Sequence, residues 1–192
     1  MPYAVNRAGE RAPYPEVIAA LAADGIAPET VDVGGSPTAY HELFIRLWAD
    51  GDGFVVVEHD VVVPRGAIRS LERCREPWCG VPYPSHNGYL EGALGCTRFS
   101  TSLVRSVPEV PATVDQLASD GTPRRYWGRL DTRLKQVLED RIGLRFHAHW
   151  PAADHLNPVI RPPIVNCSGC GGEIPPAITR LGPPPYPCPR CD

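Results

Sequence analysis

Several features that would classify a chain at once are missing from this one. No apolar run approaches the ~20 residues that a bilayer-spanning helix requires. The opening MPYAVNRAGERAPYP has no apolar core of the kind a secretory signal carries. Both absences predict a protein that does not span a membrane and resides in the cytoplasm. Excess positive charge is also missing. With a net charge of -3 and a pI of about 6.1, any contact with nucleic acid has to come from a local patch. At 192 residues the chain has room for one sizeable domain and a small appendage, not for two full domains. A glycine-rich phosphate loop is absent. The cysteine count is odd, at seven, and four of the seven fall in a metal-like pattern, which fits reduced thiols in a cytosol better than a disulfide framework. In that compartment the match of Asn166-Cys167-Ser168 to a glycosylation acceptor is chance. Proline, by contrast, is plentiful: 23 residues, crowded toward the C-terminus, mark that end as extended and irregular.

The most informative stretch is Phe54 to Pro64, FVVVEHDVVVP. Phenylalanine and valine suit a pleated, buried strand, so FVVV predicts a central strand apolar on both faces. It ends in Glu58, His59 and Asp60. Ligands of open α/β sheets collect beyond the carboxyl ends of the strands, and two carboxylates one residue apart there can hold a divalent cation. A return of the chain to water would put acids at the same place.

Around that strand, helical and extended patterns alternate. PYAVNR predicts a first strand. Pro15 opens a helix whose face is Val17, Ile18, Leu21 and Ala22, ending near Gly25. Thr30 to Val33 reads as a second strand, with Asp32 near its end either meeting a ribose or base or serving as a solvated turn residue. Ser36-Pro37 starts a helix with Tyr40, Leu43, Phe44, Leu47 and Trp48 at helical spacing, and Pro64 opens another with Ala67, Ile68 and Leu71 inward. Such alternation predicts an α/β fold with a parallel sheet and Asp60 at a strand end. From Glu76 to Gly95 the residues are those of a long loop lining a pocket, around a short CGV strand. GALGCTRFSTSLV then gives a strand and a short helix, with glycine allowing a ligand near the backbone. Pro108 to Pro123 reads as a connector, and Tyr126 to Arg141 as the clearest helix of the chain, with Asp131 near its start. In LRFHAHWPAADHLNP three histidines, His147, His149 and His155, fall within nine positions, and His155 is placed to complete a metal shell.

The tail carries the most specific local signal. Cys167 and Cys170, then Cys188 and Cys191, form C-x2-C-x17-C-x2-C, a spacing suited to a four-cysteine zinc site. The segment has almost no apolar core, so structural Zn²⁺ would supply much of its folding free energy. Cys74, Cys79 and Cys96 have no such spacing and read as buried or loop thiols. With few basic residues, the tail has little grip on DNA by itself.

Taken together, PYAVNR, FVVVEHDVVVP, GALGCTRFS, WGRLDTRL and HAHWPAADHLNP resemble, in order, the motifs of the inverting GT-A glycosyltransferases related to glycosyltransferase family two. The resemblance covers residues 1–160 and implies a GT-A-like, mostly parallel Rossmann-like sheet with flanking helices, followed by the zinc ribbon at 161–192. It also implies a metal-dependent transfer of a sugar from a nucleotide-sugar donor to an acceptor hydroxyl. In that scheme Glu58, Asp60 and His155 hold Mn²⁺ or Mg²⁺, and Asp131 is the catalytic base. Asn6, Arg7 and Asp32 contact the nucleotide. The acidic motif is EHD where DXD is commoner, and the helix begins RLD where paired acids are usual. The acceptor is left open, macromolecules such as modified DNA, protein or glycan included. The alternative is a non-catalytic zinc-ribbon module that recruits nucleic acid or protein.

Overall fold

The computed structural model describes residues 3–7, 12–33, 38–84, 90–91, 94–117, 127–156, 165–166 and 173–174. It is a mixed α/β structure. Its first strand, β1 (Tyr3–Arg7), leads to helix α1 (Pro15–Ala23), strand β2 (Glu29–Asp32), helix α2 (Ala39–Ala49) and strand β3 (Phe54–Val57). After β4 (Val61–Val62) come α3 (Ala67–Arg73), β5 (Trp78–Gly80), β6 (Tyr83–Pro84), β7 (Leu90–Glu91) and β8 (Cys96–Phe99). Helices α4 (Thr101–Ser106), α5 (Val110–Leu117) and α6 (Trp127–Gln136) follow, α6 running on through a π-turn at Val137–Arg141. Strands β9 (His147–Ala148), β10 (Asp154–His155), β11 (Val165–Asn166) and β12 (Glu173–Ile174) complete the described elements.

Six strands form the main sheet in the order β2-β1-β3-β8-β5-β9. The valine strand lies near its middle, parallel to β1 and antiparallel to β8. This corrects the expectation of a parallel sheet in part. Strands β2, β1 and β3 are parallel, as are β5 and β9, but β8 runs against both of its neighbours.

The alternation within β3 divides the interior in two. Phe54 and Val56 face a cluster built with α2, α4, α5 and α6, whereas Val55 and Val57 face one built with α1 and α3. A strand with apolar residues on both faces is therefore sandwiched between helical layers, which is why its sequence shows no polar alternation. The first cluster centres on aromatic rings. Phe54 lies 4.9 Å from Phe99 and 6.1 Å from both Phe44 and Trp48, centroid to centroid, while Trp48 donates its indole N–H to Val107 O at 3.1 Å. In the second cluster, buried Asp24 accepts the backbone N–H of Gly66 and so ties the end of α1 to the start of α3.

The predicted helical faces hold for α2, where Tyr40, Leu43, Phe44, Leu47 and Trp48 are all buried, and for α3. They hold less well for α1: Val17 and Leu21 are buried, but Ile18 and Ala22 face outward. Helix α3 begins at Ala67, three residues after Pro64, because a turn through a left-handed Gly66 intervenes. The stretch read as a connector after Pro108 contains α5, and Glu76 to Gly95 contains β5, β6 and β7. Ser36-Pro37 and the four tail cysteines lie outside the described residues. Among the described residues no helix is long and apolar enough to cross a membrane.

Phe54 is the centre of the larger cluster, so Phe54→Ala should cost about 3–5 kcal/mol. Urea denaturation measures this; a loss under about 1 kcal/mol would contradict the packing described.

Candidate active site

The register of the sheet aligns the carboxyl ends of its parallel strands. Arg7 pairs with Asp32 across β1 and β2, and Val5 pairs with Val57 across β1 and β3, so Asn6, Arg7, Asp32 and the Glu58–Asp60 turn share one edge. Asp32 is exposed there. The side chains of Asn6 and Arg7 lie outside the described residues.

At the acidic turn the chain reverses into β4, which pairs antiparallel with β10, setting His155 opposite Val61. Leu156 N donates to Asp60 O at 2.8 Å and extends the pairing by one bond. Two strands of valine and aspartate-histidine thus bring together side chains 95 positions apart: His155 Nε2 lies 3.1 Å from Asp60 Oδ2. Both are largely buried, their side chains 15% and 10% exposed.

The partners of His155 fix its protonation. Its Nδ1 lies 2.7 Å from Pro84 O, a carbonyl that can only accept, so Nδ1 carries a hydrogen. An ionised carboxylate oxygen also only accepts, so the 3.1 Å between Nε2 and Oδ2 requires a positive group there. It is either a second proton on the ring or a metal cation shared by the two atoms. A carboxylate and an imidazole are also the residue types that would hold a divalent cation. The Pro84 carbonyl then acts as the outer hydrogen-bond partner that orients a ligating histidine.

Burial is the largest influence on Asp60 and by itself raises its pKa. The hydrogen bond from His155, the charges of His59 and His155 and its own backbone N–H together outweigh burial, leaving the carboxyl below its ordinary value. His59 Nδ1 is 3.7 Å from Asp60 Oδ1, and its ring stacks on Tyr14, whose N–H donates to His59 O at 2.9 Å. Glu58 is directed elsewhere. Its Oε1 accepts from the Tyr40 hydroxyl at 3.3 Å, and it does not converge with Asp60 and His155 into a three-ligand cluster.

Tyr83, which the sequence had left in an undifferentiated loop, connects the remaining acid. Its ring meets the His155 ring edge-on at 5.4 Å, and its hydroxyl donates to Asp131 Oδ2 at 3.2 Å. Asp131, on α6, is therefore two side chains away from Asp60 along a line of contacts: Asp60, His155, Tyr83, Asp131. Gly95 leaves room for that line, since a Cβ there would fall inside the Tyr83 ring. The glycine read as admitting a ligand admits this ring.

Comparison with protein-family models gives no match, and neither does comparison with curated proteins. Among solved structures, the chain is similar to a protein from Bacillus anthracis assigned as a glucose-1-phosphate thymidylyltransferase, crystallised with a sucrose. That likeness has 12% identity and a TM-score of 0.40, covering 77% of this chain and 67% of that one. It is also similar to a glycosyltransferase involved in the glycosylation of the major capsid of PBCV-1, with 13% identity and a TM-score of 0.42, covering 79% of this chain and 83% of that one. Both likenesses are loose, so what this chain binds has to be argued from its own residues.

The depressed pKa of Asp60 has a definite sign. A carboxyl lowered by folding stabilises the fold above its unfolded value of 3.8, and that stabilisation is lost as pH falls through the lower folded value. In a chelator, Asp60→Asn should therefore be less stable than the native chain by about 1.5–3 kcal/mol near neutral pH. The gap should close below pH 3.8. Urea titrations across pH test this, and a gap that stays constant down to about pH 2 would contradict the pairing with His155.

Proposed function

We propose that residues 1–160 form a GT-A-like, metal-dependent inverting glycosyltransferase and residues 161–192 a zinc ribbon. The carrying observation is the buried Asp60–His155 pair at the carboxyl edge of the sheet, with Asp131 reached from it through Tyr83. A nucleotide-sugar donor would lie along the edge shared by Asn6, Arg7 and Asp32. Asp60 and His155 would hold Mn²⁺ or Mg²⁺, with Glu58 joining only if it leaves Tyr40. Such an ion supplies neutralisation of the charge on the departing diphosphate.

The remaining chemistry belongs to the chain. Asp131 takes the proton of the acceptor hydroxyl, and the oxygen attacks the anomeric carbon. The bond from that carbon to the diphosphate breaks on the opposite face, so configuration inverts in one displacement. Tyr83 orients the Asp131 carboxylate by occupying one of its oxygens. The same hydroxyl keeps that oxygen from turning toward His155. In the tail, Cys167, Cys170, Cys188 and Cys191 would bind structural Zn²⁺, and the ribbon would present a macromolecular acceptor or hold the tail together.

Turnover of UDP- and GDP-sugars with Mn²⁺ tests the proposal. Asp60→Ala should abolish it while circular dichroism shows the fold intact, and Asp131→Asn should lower kcat by about 10²–10⁴. Full activity in either variant would refute the assignment. Calorimetry that detects no heat from any nucleotide sugar would favour a non-catalytic recruiting module. The ribbon is tested separately: Cys188→Ser should lose one bound zinc per chain by elemental analysis, and unchanged zinc would remove it.

A further inference from the structure

On the other side of β5 from the sheet's acidic turn, three side chains from separate segments come together. Cys74 caps the end of α3, Cys79 lies in the middle of β5, and His149 directly follows β9. One sulfur or nitrogen from each lies within 4.8 Å of the other two. The backbone holds them there. Cys79 pairs with His147 in the β5–β9 ladder, His149 N donates to Gly80 O at 2.8 Å, and Cys74 N donates to Leu71 O at 3.1 Å.

The ring of His149 is arranged as a ligand's would be. Its Nδ1 is 2.6 Å from Ser70 Oγ, which leaves Nε2 as the nitrogen available for ligation. That Nε2 is buried and has no hydrogen-bond partner. A buried imidazole nitrogen without a partner forfeits its hydration and gains nothing in return, so the position calls for an explanation. Burial, with the charges of His147 and Arg98, lowers the pKa of His149 and keeps the ring neutral, the form that ligates. Ser70 would then be the outer partner that fixes the tautomer.

We propose that Cys74, Cys79 and His149 form a metal site for a borderline-soft d¹⁰ cation of the Zn²⁺ class, with three protein ligands and a fourth position open to solvent. Bond lengths near 2.3 Å to sulfur and 2.0 Å to nitrogen set ligand atoms about 3.5–3.8 Å apart in a tetrahedron. From separations within 4.8 Å, the cluster therefore has to contract by at most roughly 1–1.3 Å. Two thiolates and a neutral imidazole select zinc over Mg²⁺ or Mn²⁺, which favour oxygen. The surroundings agree with this selection. The charge of nearby Arg98 acts on Cys79 and would oppose a bare cation, but two thiolates neutralise Zn²⁺. Cys74 and His149 line a cavity of about 520 Å³ together with Arg69, Arg73, Arg75 and a single acid, Glu76. That basic rim suits water or an anionic group as the fourth ligand. The site is independent of the glycosyltransferase reading and uses none of its residues.

Half-buried Cys74 reports on the site, because the deeper Cys79 is held by burial and by Cys74 at about 12 and reacts slowly in any state. The full chain, reduced with a phosphine and given Zn²⁺ alone, is labelled with a maleimide and read peptide by peptide. Zinc should slow labelling of Cys74 by roughly tenfold or more, and EDTA should restore it. His149→Ala should abolish the protection, whereas Cys188→Ser, in the tail, should leave it unchanged. Labelling of wild-type Cys74 that is equal with and without Zn²⁺ would overturn the site, whether or not the variants fold. So would protection that EDTA does not reverse and the phosphine does, which would identify a Cys74–Cys79 disulfide in its place.

Discussion

The contact between His155 and Asp60 sets the terms for the whole acidic edge. It is a single 3.1 Å approach, yet it joins the turn after the central strand to a segment 95 residues later. Without it, β4 and β10 would be two-residue strands with little reason to pair. With it, a fixed imidazole, a carboxylate held in its charged form and a demand for positive charge between them occupy one buried place. The backbone contributes as much as the side chains. Pro84 O decides which ring nitrogen carries hydrogen, and Leu156 N closes the pairing next to Asp60.

The scaffold places that contact by simple means. Strand β3 is apolar on both faces, so it can only be central, and the first polar residues after it emerge at the sheet's edge. Aromatic packing of Phe54 against Phe44, Trp48 and Phe99 anchors the strand from one side. Valine packing against α1 and α3 anchors it from the other. The turn is thus held at one end by the core and at the other by β10.

Much of this was legible in the sequence, where the signal was local. The valine strand follows from its unbroken run of β-favouring apolar residues, and the stripe of α2 and the leucines of α6 follow from a period of 3.6. That His155 would meet Asp60 was implied by the resemblance to the GT-A glycosyltransferases, not by any local pattern. Direction was not legible: a strand pattern reads the same both ways, so the antiparallel course of β8 could not be inferred from CTRF. Helix α5 was missed because Pro108 to Pro123 was read as a connector, although a proline such as Pro111 is acceptable in a helix's first turn. Ile18 was assigned inward on spacing alone, but α1 buries a narrower face. Tyr83 was hidden among prolines, and its role depends on contacts with residues 48 and 72 positions away. The Cys74, Cys79 and His149 cluster was invisible for the same reason, since its spacing exists only in the fold.

Both histidine clusters come from one stretch, His147 to His155, which crosses the edge of the sheet and reaches two different sites in nine residues. One of its sites pairs a carboxylate with an imidazole and the other pairs two thiols with an imidazole, so the two would favour different cations. The central claim of the proposed function is that Asp60 and His155 would hold a hard cation. Anomalous diffraction from crystals grown with Mn²⁺ and a nucleoside diphosphate tests it most directly. The account predicts a manganese peak beside the side chains of Asp60 and His155. A peak elsewhere, with the two side chains still hydrogen-bonded to each other, would contradict it.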